Sequence, residues 1–142
     1  MKIVAVSQRV DYYPERNERR DATDQKLCAF VQSSGHLPIL VPNRLSINND
    51  KDVRKNVVFS WLENIGIQAI ILSGGNTIGD CAERDETEKW LLDYAETKHF
   101  PVLGICRGMQ MLGVRGGGEL QEISNHVNCE HDITGAISDF TN

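Results

Sequence analysis

Gly104-Ile105-Cys106-Arg107-Gly108 lies between a β-branched apolar run and the helix-compatible run Met109-Gln110-Met111-Leu112. A cysteine two residues from a glycine on each side, at a junction of this kind, has the pattern of a nucleophile elbow. In that turn the nucleophile is held in a strained conformation, and neighbours without side chains let strand and helix pack closely beneath it. Six of the twelve glycines fall between positions 104 and 118, so the backbone there is under unusual constraint. Cys106 so placed stands at a helix N-terminus, where unpaired N–H groups and the helix dipole favour the thiolate, the nucleophilic form. The same N–H groups, starting with that of Arg107, can hold the oxyanion of a tetrahedral intermediate. A second donor has to come from elsewhere, and Ser73-Gly74-Gly75, at the end of another apolar run, can bring bare backbone N–H groups to the same point. Taken alone, an unpaired cysteine is most often a small buried hydrophobe and a pair of glycines an ordinary turn. The agreement of motif with flanking pattern favours the chemical reading for Cys106. Cys28, on an apolar helical face, reads as core; Cys81 falls in a loop and receives no role.

The elements that would carry these groups alternate along the chain. Residues 2–6 read as a strand buried on both faces, and the polar stretch 8–20 as a loop. Asp21 opens a helix whose apolar positions Leu27, Phe30 and Val31 run until Gly35. Residues 37–41 read as a second strand closed by Pro42, followed by a helix striped by Val57, Val58, Trp61, Leu62 and Ile65 and ended by Gly66. Residues 67–72 make a third strand. A loop over 73–79 leads to a helix with Asp85, Glu86 and Glu88 in its early turns and Leu91, Tyr94 and Ala95 on its inner face. Residues 101–105 are the fourth strand; after Glu119 the pattern weakens to short strands or loops. This alternation predicts an α/β fold, a doubly wound, flavodoxin-like, mostly parallel sheet with helices on both faces. Ligands in such sheets sit beyond the carboxyl ends of the strands, so the loops starting at Ser7, Ser73 and Cys106 should share one rim.

Composition narrows the function classes. A chain of 142 residues suits one domain, and with 40% apolar and 25% charged residues it can bury a core. Fifteen Lys+Arg against twenty Asp+Glu give a net charge of −5, which argues against nucleic acid or an anionic membrane as partner. No apolar run approaches the ~18 residues of a membrane span, and the N-terminal run is too short for a signal peptide, so the expectation is a cytoplasmic protein. The four cysteines, at 28, 81, 106 and 129, show no CxxC spacing. Neither a Walker A nor a G-x-G-x-x-G nucleotide motif occurs.

At this point the sequence resembles a known family, the class I (cysteine-type) glutamine amidotransferases and their γ-glutamyl hydrolase relatives. The resemblance rests on Leu72-Ser73-Gly74-Gly75-Asn76, on Glu83-Arg84-Asp85-Glu86-Thr87-Glu88, on the block from Pro101 through Gly104-Ile105-Cys106-Arg107-Gly108-Met109-Gln110 to Leu112, and on Gly117-Gly118-Glu119-Leu120. The stretch Tyr12-Tyr13-Pro14-Glu15-Arg16-Asn17-Glu18-Arg19-Arg20-Asp21 is similar to a branch that hydrolyses γ-glutamyl-CDP-amidate in the phosphoramidate decoration of bacterial capsular polysaccharide. The resemblance implies that Cys106 attacks a γ-glutamyl carbonyl, that the backbone N–H groups of Gly75 and Arg107 bind the oxyanion, and that Gly74, Asn76 and Gln110 help to seat the glutamyl group. It implies a small-molecule γ-glutamyl substrate, cytidine-nucleotide-linked in the narrower branch. No metal and no organic cofactor are expected, since a covalent thioester route needs only nucleophile, base and oxyanion donors.

The family completes its triad with a His and a Glu in a Trp-His-Pro-Glu-like motif near the C-terminus, which this sequence does not show before Asn142. His36 and His99 precede strands and belong at the amino rim, away from Cys106. His126 and His131 follow the elbow but are expected to be local structural features. With Cys129 they lack a fourth metal ligand, so solvated loop residues are the default. The expectation is the N-terminal part of a longer enzyme, with weak turnover on its own, because lost acid–base help costs about 10²- to 10⁴-fold per step. A sheet edge left uncovered would favour homo-oligomers. Arg16, Arg19 and Arg20, with Arg9, share the first rim stretch with Asp11, Glu15, Glu18 and Asp21. They either pair among themselves or place some guanidiniums on a substrate diphosphate. Arg84 and Glu88 are expected on a helix surface, Arg84 being a weaker ligand candidate. Two rival functions stay open: a glutaminase subunit supplying ammonia to a synthase, and a catalytically inactive fragment.

Overall fold

A computed structural model of the chain describes residues 1–126 and 129–130. Among these residues the central sheet has four short strands, β1 (Ile3–Val6), β4 (Leu37–Leu40), β5 (Ala69–Leu72) and β6 (Val102–Gly104), in the order β4-β1-β5-β6. All three pairings are parallel. The β-branched, uninterrupted apolar runs are what a strand covered on both faces requires, and Val4, Ala5, Val6, Ile70, Ile71 and Leu72 are buried.

Two packed layers flank the sheet. On one face Val4, Val6 and Ile71 meet Val31 and Leu27 of α1 (Gln25–Ser33). On the other, Ala5, Ile70 and Leu72 join Val58 and Leu62 of α2 (Lys51–Ile65), Leu91, Tyr94 and Ala95 of α3 (Ala82–Lys98), and Met111 of α4 (Arg107–Arg115). The expected α/β architecture, a mostly parallel sheet with helices on both faces, is therefore present. Helix ends follow local chemistry. Asp24 accepts from Lys26 N at the start of α1, Asp50 accepts from Asp52 N and Val53 N at the start of α2, and Gly66 closes α2 at φ 74°.

Two expectations are corrected. Residues 8–20 are not one loop: β2 (Arg9–Tyr13) and β3 (Glu18–Ala22) form an antiparallel hairpin. A 3-10 turn over Pro14–Arg16 and Asn17 at φ 48° join them. The hairpin stands apart from the main sheet, so its residues lack the apolar alternation of a strand lying on a core. Ion pairs and ring contacts serve instead, with Arg19 over Tyr12 and Arg20 over Tyr13. Accordingly α1 begins after Asp24 and not at Asp21, which pairs with Val10 in the ladder and accepts from Asn43. The second correction concerns α3: Arg84 and Glu88 are both 0% exposed. Among the described residues no helix is long and apolar enough to cross a membrane.

Candidate active site

Cys106 follows the end of β6 after the single residue Ile105 and caps α4, with φ 51° and ψ −107°, outside the regions an L-residue ordinarily occupies. It is exposed. The two glycines around it are there for space. A Cβ on Gly104 would fall 2.6 Å from the carbonyl carbon of Gly108, and one on Gly108 would fall 2.1 Å from Leu72 O. The elbow is thus pressed onto the end of β5, where Ile105 N donates to Leu72 O at 2.9 Å. In the first turn of α4, Gly108 N is taken by Ile105 O and Gln110 N by Cys106 O. Arg107 N–H has no hydrogen bond among the described residues, as expected of a first-turn donor.

The 73–76 turn comes off β5 at the same rim. A Cβ built on Gly74 would lie 3.6 Å from Cys106 Cβ. Gly75, at φ 85°, sits where an L side chain is strained, and a Cβ there would also push on Arg9, whose Cδ would lie 2.9 Å away. Ser7 completes the rim, accepting from Ser73 N at 2.9 Å through its Oγ. Gly74, Gly75, Ser73 and Ile105 line a cleft of about 540 Å³ with Arg9, Thr23, Asp24 and Leu27. That cleft lies outside the carboxyl ends of β1 and β5, adjacent strands whose connections run opposite ways, where doubly wound folds bind ligands.

Beneath the rim lies a cluster of buried charge. Arg84 donates Nη2 to Ser73 O (2.7 Å), Nη1 to Gly75 O (2.5 Å) and to Asn76 Oδ1 (3.1 Å), and Nε to Glu88 Oε1 (3.1 Å). Arg107 turns its side chain inward, onto Glu88 and Asp85. Ser7 Oγ donates to Glu88 Oε1 at 2.8 Å, and Gly79 N donates to Asp85 Oδ2 at 2.9 Å. Burial pushes the Arg84 guanidinium below its ordinary pKa; Glu88 works against that shift and the Arg107 charge adds to it.

Of the other residues singled out from sequence, Gln110 is exposed one turn beyond Cys106. Asn76, at φ 51°, spans Val10 with its side chain, accepting from Val10 N at 2.9 Å and donating to Val10 O at 3.0 Å. It ties the turn to the hairpin. Arg19 pairs with Glu83 at 2.5 Å, Arg20 with Glu18 at 2.5 Å, and Arg16 sits near Glu15 at the hairpin tip. None of these three lines the cleft beside Gly75; Arg9, itself paired with Asp11 at 3.0 Å, does. Arg19 borders a separate hollow with Arg44, Asp80 and Asp21. His36 Nδ1 accepts from Lys2 N, and His99 ends α3 just before β6, so both lie at the amino rim. His126 is exposed, Cys129 Sγ donates to Asn125 O at 3.2 Å, and His131 lies outside the described residues.

From sequence, Ser7, Asp85 and Glu88 have no place in the site and Arg84 only that of a weaker ligand candidate on a helix surface, whereas the structure sets all four at or beneath the rim. For Arg84 and Glu88 the signal is the spacing 84, 87, 88, 91, 94, 95, a helical stripe that continues the apolar face of α3 into polar residues; Ser7 and Asp85 lie off that stripe.

The chain matches the peptidase C26 family over residues 2–138. It is 30% identical over 99 residues to a gamma-glutamyl-CDP-amidate hydrolase of Campylobacter jejuni, covering 59% of this chain and 48% of that protein. It is 52% identical over 52 residues to a glutamine-hydrolyzing GMP synthase of Nitratidesulfovibrio vulgaris, covering 37% of this chain and 9% of that protein. The matched segment spans less than half the length of either relative.

Proposed function

The chain belongs to the peptidase C26 family, and from that premise we propose that it hydrolyses the γ-glutamyl amide bond of a small molecule through a thioester on Cys106. The single observation that carries this reading is the exposed cysteine at φ 51°, ψ −107° on the N-terminus of α4, with Gly74 packed against it. The Cys106 thiolate adds to the γ-carbonyl, and the carbonyl oxygen becomes an oxyanion that the N–H groups of Arg107 and Gly75 can receive. Collapse breaks the C–N bond, the amine or amidate leaves with a proton, and water then cleaves the thioester to give glutamate. The cleft by Gly75, lined by Gly74 and Arg9, takes the glutamyl group, and Gln110 stands outside that lining.

The finer reading is that the leaving group is a nucleotide-linked amidate, released in capsular polysaccharide modification. Its support is the likeness to the Campylobacter jejuni hydrolase and the arginine-rich hairpin. Arg16, Arg19 and Arg20 are then candidates for the diphosphate, each exchanging its present carboxylate partner for phosphate. The segment shared with GMP synthase favours a second reading, a glutaminase that passes ammonia to a synthase.

Single-turnover chemistry separates these. Mixed with a γ-glutamyl anilide, the chain should release up to one equivalent of amine in a burst that Cys106→Ala abolishes. A burst faster with a γ-glutamyl nucleotide-amidate than with glutamine supports the finer reading; the reverse order supports the glutaminase. Amine release that persists in Cys106→Ala, or no burst with any γ-glutamyl compound, overturns the proposal.

A further inference from the structure

Arg84, Arg107 and Glu88 are at most 1% exposed and Asp85 is 9% exposed, two cations and two carboxylates beneath a turn and an elbow. Buried ion pairs of this kind add little stability, because desolvation offsets the attraction, and apolar residues of similar volume often serve as well. What the cluster does fix is the placement of two backbone segments relative to each other. Arg84 grips Ser73 O and Gly75 O. A trans peptide points its carbonyl and its N–H in opposite directions, so the N–H groups of Gly74 and Asn76 face away from the guanidinium. The peptide between them, which carries Gly75 N–H, is held between two pinned planes. On the other side, Arg107 is the first residue of α4, and its anchor on Glu88 and Asp85 fixes the peptide after Cys106. Glu88 is common to both: Oε1 receives Arg84 Nε and Ser7 Oγ, Oε2 receives Arg107 Nη1, and Ser7 Oγ in turn receives Ser73 N.

We propose that Glu88, shared by Arg84, Arg107 and Ser7, is a positioning residue that sets the gap between the 73–76 turn and the first peptide of α4, and with it the oxyanion site. This inference rests on the γ-glutamyl reading of the Cys106 site. Misplacing an oxyanion donor slows attack on a carbonyl, whereas plain alkylation of the thiolate uses no such donor.

The test compares two rates of Cys106 modification, by a chloromethyl ketone analogue of glutamine and by iodoacetamide, in wild type, Ser7→Ala and the charge-balanced pair Arg84→Met/Glu88→Leu. Thermal midpoints are recorded alongside. The ketone-to-iodoacetamide ratio should fall about 10-fold or more in the double variant, as expected when donors shift by about an ångström. It should fall about 3-fold in Ser7→Ala, the scale of one hydrogen bond. A folded double variant with an unchanged ratio overturns the proposal, because the cluster is then structural only. If the double variant does not fold, Ser7→Ala decides: a lowered ratio supports the proposal and an unchanged one overturns it. A wild type with no preference for the ketone over iodoacetamide overturns the γ-glutamyl reading itself, and the inference with it.

Discussion

Replacing Cys106 by glycine should make the protein more stable while removing its chemistry. At φ 51° and ψ −107° the residue sits where a Cβ is strained, at a cost of about 1–3 kcal/mol. Glycine removes that strain, and because the thiol is exposed little buried apolar area is lost with it. Against this, glycine gives the unfolded chain more freedom, worth about 0.5–1 kcal/mol. The net gain is about 0–2.5 kcal/mol, centred on about 1.25 kcal/mol, or roughly 4 °C at about 3 °C per kcal/mol for a chain of this size. Cys106→Ala is the control: it deletes the sulfur and keeps the Cβ, so its stability should stay near that of wild type. Paired thermal and urea melts of the three proteins measure the difference. Cys106→Gly melting at or below Cys106→Ala would refute the reasoning, since the elbow would then store no strain.

Gly108→Ala should act in the opposite direction. Its methyl would sit 2.1 Å from Leu72 O, so α4 must lift off β5 at a cost of about 3 kcal/mol or more; a melting point within 2 °C of wild type, on the same scale of about 3 °C per kcal/mol, contradicts the packing. Acid should weaken the helical face away from the site. Lys98 and Tyr94 hold Glu63 below its usual value of 4.5, and Lys55 and Arg115 hold Asp93 below 3.8 although burial opposes the shift. Both folded pKa values are depressed, so the stability they give is present above the ordinary pKa values and lost as pH falls through the depressed ones. Melting points should decline steadily below about pH 4, and Glu63→Gln/Asp93→Asn should flatten that decline. Cysteine reactivity should follow the fold. Burial pushes the Cys81 thiol up, so peptide mapping after brief iodoacetamide treatment near neutral pH should find Cys106 alkylated and Cys81 untouched until denaturant is added.

Much of this architecture was legible because it is written in local patterns. The four main strands are continuous apolar runs, and Gly35 and Gly66 end helices at positive φ where the periodicity stops. The elbow was legible for a different reason: Gly104 and Gly108 are dictated by backbone contacts that tolerate no Cβ, and such a constraint leaves a fixed spacing in the sequence. The hairpin was not legible, since Val10 is the one buried apolar residue of Arg9–Tyr13 and Glu18–Ala22, too little to write an alternation. Burial of Arg84 and Glu88 ran against the usual preference of charged residues for solvent. Besides their pairing with each other, partners such as Ser7, Ser73 and Arg107, which follow β1 and β5 or begin α4, make those positions habitable, and for Glu88 the partners Ser7 and Arg107 are distant in sequence.

The central claim is that Cys106 reacts as a nucleophile at a γ-glutamyl carbonyl. Intact-mass analysis and peptide mapping after treatment with the glutamine chloromethyl ketone test it most directly. A single adduct on Cys106, slowed by excess glutamine or a γ-glutamyl amide, is the expected result. Labelling spread over Cys28, Cys106 and Cys129 without protection by either compound would contradict it.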